Sequence, residues 1–259
     1  MKKTVFLDIE NTITMSLQKL NDSTLNLIKN LEDDYNFCVC TSAFEVDCKN
    51  FLEMNNLSWN YICNAGAYVH YNNLTYVKYF TLPLKVLLPF DYDIKFLFYE
   101  KNNVLYIYKY DKMLEFLYPK NQNRYYINNL LEITNPNFLQ VYIAINQGVR
   151  EQFIELLERK NIRVNIIGED SKLIIFRLTH KDVTKGYFIK TILYKNKIDF
   201  NDTISFGDSL DDIYLLKETN LKIAVKNSDD LLQQFSTDIC DDYNNDGVFK
   251  YLENLKAKN

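Results

Sequence analysis

The apolar run Val5-Phe6-Leu7 stops at two carboxylates, Asp8 and Glu10, one residue apart. In an extended chain residues i and i+2 project to the same side, roughly 6.5–7 Å apart. Two like charges held that close are unfavourable unless a cation, a proton or a charged ligand lies between them. The pair is therefore either a solvated strand end or half of a site that needs a partner. Other stretches carry groups that could complete it. "SFGDSLDD" places Asp208, Asp211 and Asp212 after a second apolar run, with Gly207 supplying a tight turn. Thr41 and Ser42 follow "NFCVC", and Lys185 lies in "DVTKGYF" near the start of an expected helix. Carboxylates hold a hard cation, while hydroxyl and ammonium groups hold phosphate oxygens.

Such groups meet only if the chain folds to bring them together. "TVFLD", "NFCVCT", "TISF" and "LKIAV" read as short buried strands. Between them "LNDSTLNLIKNLEDD", "DVTKGYFIKTILYKN" and "LDDIYLLKETN" repeat apolar residues every three to four positions, as amphipathic helices do. Strand–helix alternation implies a Rossmann-like α/β parallel sheet with helices on both faces, in which ligands bind beyond the carboxyl ends of the strands. The middle of the chain reads differently. From "AYVHYNNLTYVKYF" to "KLIIFRLT" run longer, aromatic-rich, alternating segments, some separated by short polar turns such as "EKNN" and "GEDS". These predict antiparallel hairpins, with helices around "DKMLEFLY" and "GVREQFIELLERKN". The expected organisation is a core domain over 1–80 and 181–259 with an inserted α+β domain over 81–180.

With 259 residues, 47% of them apolar, the chain can bury one large core or two smaller ones. A net charge of −4 without a long basic tract argues against a nucleic-acid surface. No apolar run approaches a membrane span, and Asp8 cuts the first one too early for a signal peptide, so a cytoplasmic protein is expected. The five cysteines are odd in number and form no C-x-x-C pair, so neither zinc site nor disulfide is expected. His70 and His180 read as ordinary surface or loop histidines, and the aromatic residues of 92–118 as filling for the inserted domain.

Five stretches, in order, resemble the haloacid dehalogenase superfamily of phosphohydrolases, and most closely its Cof-type branch, subfamily IIB. "FLDIENT" is similar to D-x-D-G-T, "VCTSA" to the T-G-R segment, and "THKDVTKGYFIKTIL" to the segment with V-S-K-G. "ISFGDSLDDIYLL" resembles G-D-x-x-N-D-x-x-M-L, and "DDYNNDGVFKYL" the late N-x-D-G-V stretch. The inserted domain falls where that branch carries its cap.

The resemblance implies a phosphatase acting with Mg2+ on a small phosphorylated metabolite, a sugar phosphate above all. Asp8 would be the nucleophile that forms an aspartyl-phosphate, and Glu10 would protonate the leaving alcohol and later activate water. Thr41 would donate to a phosphoryl oxygen, and Lys185 would neutralise charge on the phosphate and on Asp8. The metal site would draw on Asp8, the backbone carbonyl of Glu10, and Asp208, with Asp211 and Asp212 adding negative charge or holding Lys185 or a metal-bound water.

The chain departs from the pattern at Glu10, where the family has aspartate, and at Asn11, where it has glycine. Asp211 replaces an asparagine, "TSA" replaces T-G-R, and Ala65 of "CNAGAY" stands where the family's N-G-A asparagine falls. These changes leave open a second reading, a binding or regulatory protein that keeps the metal site with weakened catalysis. Oligomeric state is not legible.

Overall fold

The computed structural model of the protein describes residues 2–112 and 123–257. The chain forms two compact units, one from Met1–Val77 with Thr184–Asn259 and the other from Lys78–Val183. The helix expected around "DKMLEFLY" lies outside the described residues.

In the first unit the strands are β1 (Lys3–Leu7), β2 (Tyr35–Cys40), β3 (Asn60–Cys63), β4 (Tyr68–Tyr71) and β5 (Leu74–Val77), then β14 (Thr203–Gly207), β15 (Leu221–Val225) and β16 (Asp238–Cys240). They form one sheet in the order β16-β15-β14-β1-β2-β3-β4-β5. β1 lies in the middle, parallel to both β14 and β2. Its residues alternate between two layers. Val5 and Leu7 join Ile28 and Leu31 of α1 (Asp22–Leu31), Phe51 of α2 (Glu45–Met54) and Phe249 of α7 (Gly247–Ala257). Phe6 joins Ile189 and Ile192 of α4 (Ile189–Asn196), Leu215 of α5 (Ile213–Leu216) and Leu232 of α6 (Asp230–Phe235). A strand covered on both faces has no polar side to show, which is why Val5-Phe6-Leu7 is apolar at consecutive positions.

This order also locates the cleft. From β1 the chain steps to β2 and β3 on one side, and later to β14 and β15 on the other. The carboxyl ends of β1, β2 and β14 therefore border the point where strand order reverses.

The sequence pattern groups "AYVHYNNLTYV" with the antiparallel middle of the chain. In the structure β4 instead pairs antiparallel with β3, and β5 with β4, so the hairpin extends the first sheet. Asn72 and Asn73 both take positive φ, 46° and 64°, as a two-residue hairpin turn requires. Val69 and Tyr71 bury into the layer that holds Phe6, which fixes the hairpin there.

In the second unit the strands are β6 (Phe80–Thr81), β7 (Ile94–Lys101), β8 (Val104–Tyr108), β9 (Asn123–Ile127), β10 (Asn137–Phe138), β11 (Val141–Asn146), β12 (Ile162–Glu169) and β13 (Leu173–His180). Six of them form a sheet in the order β12-β13-β11-β7-β8-β9, and β6 pairs with β10. All the pairs are antiparallel except β8 with β9. Leu97, Ile143 and Phe176 share a buried layer with Phe153 and Leu157 of α3 (Arg150–Glu158). No described helix is long and apolar enough to cross a membrane. All five cysteines are free and buried.

Candidate active site

Asp8, Thr41 and Asp208 each follow directly on a strand of the first unit. β1 delivers Asp8, whose N–H donates to the Phe206 carbonyl of β14 at 3.1 Å. The chain then turns through Asn11 in the left-handed region (φ 57°), which asparagine tolerates better than most residues. That turn returns Thr12, whose hydroxyl donates to Asp8 Oδ2 at 3.1 Å and lies 3.5 Å from Asp208 Oδ1.

β14 delivers Asp208 through Gly207. A Cβ at Gly207 would stand 2.4 Å from the Asp212 Cβ, so only glycine lets the strand end pass this close. Ser209 and Asp212 form a capping box at the start of the next helical turn. Asp212 Oδ2 accepts from the Asp208 and Ser209 amides at 3.1 and 3.0 Å and from the Ser209 hydroxyl at 3.0 Å. Its other oxygen accepts from Lys185 Nζ at 2.6 Å, and Lys185 also donates to Asp8 Oδ1 at 2.5 Å.

Lys185 is placed by an irregular approach. The helix expected over "DVTKGYFIKTILYKN" begins only at Ile189, because the preceding residues are held in close backbone packing. A Cβ on Gly66 (φ 100°) would meet the Thr184 carbonyl at 1.9 Å, and one on Gly186 would meet the Tyr214 carbonyl at 2.0 Å. Asn64 and Ala65, just before Gly66, also take positive φ (52° and 55°). Three left-handed residues in a row thus form the seat for Thr184 and Lys185.

Oxygens of Asp8, Asp208 and Asp212 all lie within 4.8 Å of one another. The carboxylates of Glu10 and Asp211, both half-buried, stand outside that trio. Thr41 follows β2 directly, fully buried, and its hydroxyl oxygen accepts from the Ala43 amide at 3.0 Å. Ser42 beside it is half-buried. Sequence reasoning did not single out Thr12, although a hydroxyl four residues after the first carboxylate was the available signal. Nor did it find Ser209, whose signal was the S-x-x-D spacing to Asp212.

The electrostatics follow from burial. Asp8, Asp212 and Lys185 are 3%, 0% and 6% exposed. Burial drives the Asp8 carboxyl well above the usual range, and the Asp212 charge adds to this against the opposing pull of Lys185. Asp208 is pushed up to about 6, by burial first and Asp212 second. Burial alone would lower Lys185, but Asp212 and Asp8 outweigh it, so the ammonium stays charged. Three carboxylates share one ammonium in a poorly solvated spot, so the acidic groups outnumber the cation beside them. Hard oxygen donors with that surplus fit a divalent cation such as Mg2+.

Comparison with known proteins gives the family and the fold. A phosphoglycolate phosphatase from Methanobrevibacter smithii is 37% identical over 76 residues, 29% of this chain and 32% of that protein. Another, from Staphylothermus marinus, is 26% identical over 152 residues, 57% of this chain and 59% of its own length. The chain thus spans less than two thirds of either relative. A haloacid dehalogenase subclass IIB sugar phosphatase of known structure shares the fold, with a TM-score of 0.77 at 17% identity, covering 98% of this chain and 99% of that one. The haloacid dehalogenase-like hydrolase family matches residues 5–252. This chain belongs to that family.

Proposed function

We propose that the protein is a Mg2+-dependent phosphomonoesterase that releases phosphate from a small phosphorylated metabolite, with sugar phosphates the first candidates. The observation that carries this reading is Asp8, buried at a strand end and held through one oxygen by Lys185 and through the other by Thr12. A carboxylate fixed from both sides presents one orientation to an incoming phosphorus, so little of the barrier is spent on finding it.

In this reading an Asp8 oxygen bonds to phosphorus as the ester P–O bond breaks, and Glu10 gives the leaving alkoxide its proton. Water then attacks the aspartyl-phosphate, Glu10 takes back a proton, and the Asp8–phosphorus bond breaks to free inorganic phosphate. Lys185 balances charge on Asp8 and the phosphoryl oxygens. The Thr41 hydroxyl accepts from Ala43 through its oxygen and keeps its proton for the phosphoryl group. Asp8, Asp208 and the Glu10 backbone carbonyl would hold Mg2+, which supplies the positive charge that lets an anionic nucleophile meet an anionic ester. Asp212, with four donors already on its two oxygens, positions Lys185 and the Asp208 turn.

Charge distribution supports an anionic substrate. Lys78–Val183, read as the substrate-selecting cap, carries 15 Lys and Arg against 12 Asp and Glu, a net +3 within a chain of net −4. The phosphoglycolate phosphatase relatives and the sugar phosphatase fold point the same way.

The test is phosphate release from a panel of sugar phosphates, phosphoglycolate and nucleotides, with Mg2+ and with EDTA. Turnover of at least one ester is expected, lost in EDTA and in Asp8→Asn. Undiminished turnover by Asp8→Asn would overturn the assignment. Glu10, one methylene longer than the aspartate of the family pattern, motivates the binding-protein alternative, which predicts phosphate binding with no turnover of any ester.

A further inference from the structure

The loop between β15 and α6 touches both acidic turns without touching any carboxylate of the trio. The Asn227 side-chain amide donates to the Asn11 carbonyl at 2.8 Å, bridging 216 positions of sequence. Two residues on, the Asp229 amide donates to the Asp208 carbonyl at 2.8 Å, and the Asp229 carboxylate accepts from the Leu210 amide at 3.0 Å. The loop is itself stiffened. Gln233 of α6 donates through its side chain to the Lys226 and Ser228 carbonyls at 3.1 and 3.2 Å. The Ser228 amide donates to the Val225 carbonyl at 3.0 Å.

Asn11 is the left-handed residue that turns the chain between Asp8 and Thr12. Pinning its carbonyl fixes the path that carries the Thr12 hydroxyl back to Asp8. Pinning the Asp208 carbonyl and the Leu210 amide fixes the second turn against the same short loop. A rigid piece bonded to two turns sets the distance between them, as outer partners of a metal site do for its ligands.

We infer that residues 226–229 form a positioning clamp that sets the separation of the Asp8 and Asp208 carboxylates, with Asn227 as the grip on the first turn. The metal part of this inference rests on the reading that those carboxylates hold a divalent cation. The clamp itself does not.

The test uses the full chain with Asn227→Ala and with Asn227→Asp, which keeps the shape and removes the donor. Amide hydrogen exchange on metal-free protein should show residues 11–14 exchanging faster in both variants, while the β14 amides keep their protection. Titration of Mg2+ alone, read by calorimetry, should give a Kd raised roughly tenfold in Asn227→Ala. Unchanged exchange at residues 11–14 would overturn the clamp. An unchanged Kd, beside a wild type that binds Mg2+, would overturn its role in setting the carboxylates. A wild type that binds no Mg2+ removes the cation reading, and the exchange result still decides the clamp.

Discussion

Replacing Lys185 by methionine keeps most of the side chain's length and volume while removing its charge. The ammonium lies 2.5 Å from an Asp8 oxygen and 2.6 Å from an Asp212 oxygen, with all three side chains almost wholly buried. At an effective dielectric of about 20 each contact is worth about 6 kcal/mol of Coulomb energy. Desolvation of the ammonium, and proton uptake by the carboxylates left behind, offset most of that sum, and the net loss expected is about 3–5 kcal/mol, the range for breaking a buried pair. What remains is a cluster of carboxylates without a counter-charge. Asp8→Asn should therefore recover about 1–3 kcal/mol in the Lys185→Met background. The single tryptophan, Trp59, stacks on Phe37 at 4.7 Å in the same sheet unit and reports its unfolding. Urea denaturation followed by Trp59 fluorescence, in EDTA at neutral pH, gives both quantities. A loss below about 1 kcal/mol, or no recovery on adding Asp8→Asn, would refute the view that Lys185 holds the cluster together electrostatically.

Thr12→Val keeps the shape of a fully buried side chain and deletes one hydrogen bond to a carboxylate, worth roughly 1.5–3 kcal/mol. Turnover should fall about tenfold with little change in KM, and steady-state rates showing unaltered kcat would contradict its role in holding Asp8. Ala65→Gly should raise stability by about 0.5–1 kcal/mol in urea denaturation, because left-handed alanine costs more than glycine's extra freedom in the unfolded chain. Gly66→Ala should cost about 3 kcal/mol or more, since its new methyl would collide with the Thr184 carbonyl. Equal stabilities for the two variants would refute the account of that seat.

The site's main line was legible because strand ends are. An apolar run that stops at Asp8, and another that stops at Gly207-Asp208, say where the sheet ends and what chemistry starts there. What stayed hidden depends on distance in sequence. Nothing local marks Asn227 as a partner of Asn11, and nothing in "SLDD" says that Asp212 gathers four donors while Asp211 stays outside the trio. Ahead of the helix that starts at Ile189, the three- to four-residue spacing near Lys185 persists through Thr184–Phe188. There, backbone packing against Gly66 and Tyr214 overrides it. Likewise the Tyr68–Val77 hairpin has the same alternation whether it edges a parallel sheet or joins an antiparallel one. Only its buried partners decide.

β1 pairs with β14 from Thr4↔Thr203 to Leu7↔Phe206, and this has a consequence for synthesis. On the ribosome, at about 5–20 residues per second, the first strand waits on the order of 10–40 s for its neighbour. Lys78–Val183, being continuous, can mature during that interval, whereas the backbone edge of β1 stays unpaired until the far strand emerges. Chaperone dependence and aggregation in truncated nascent chains should therefore concentrate on lengths that stop short of β14.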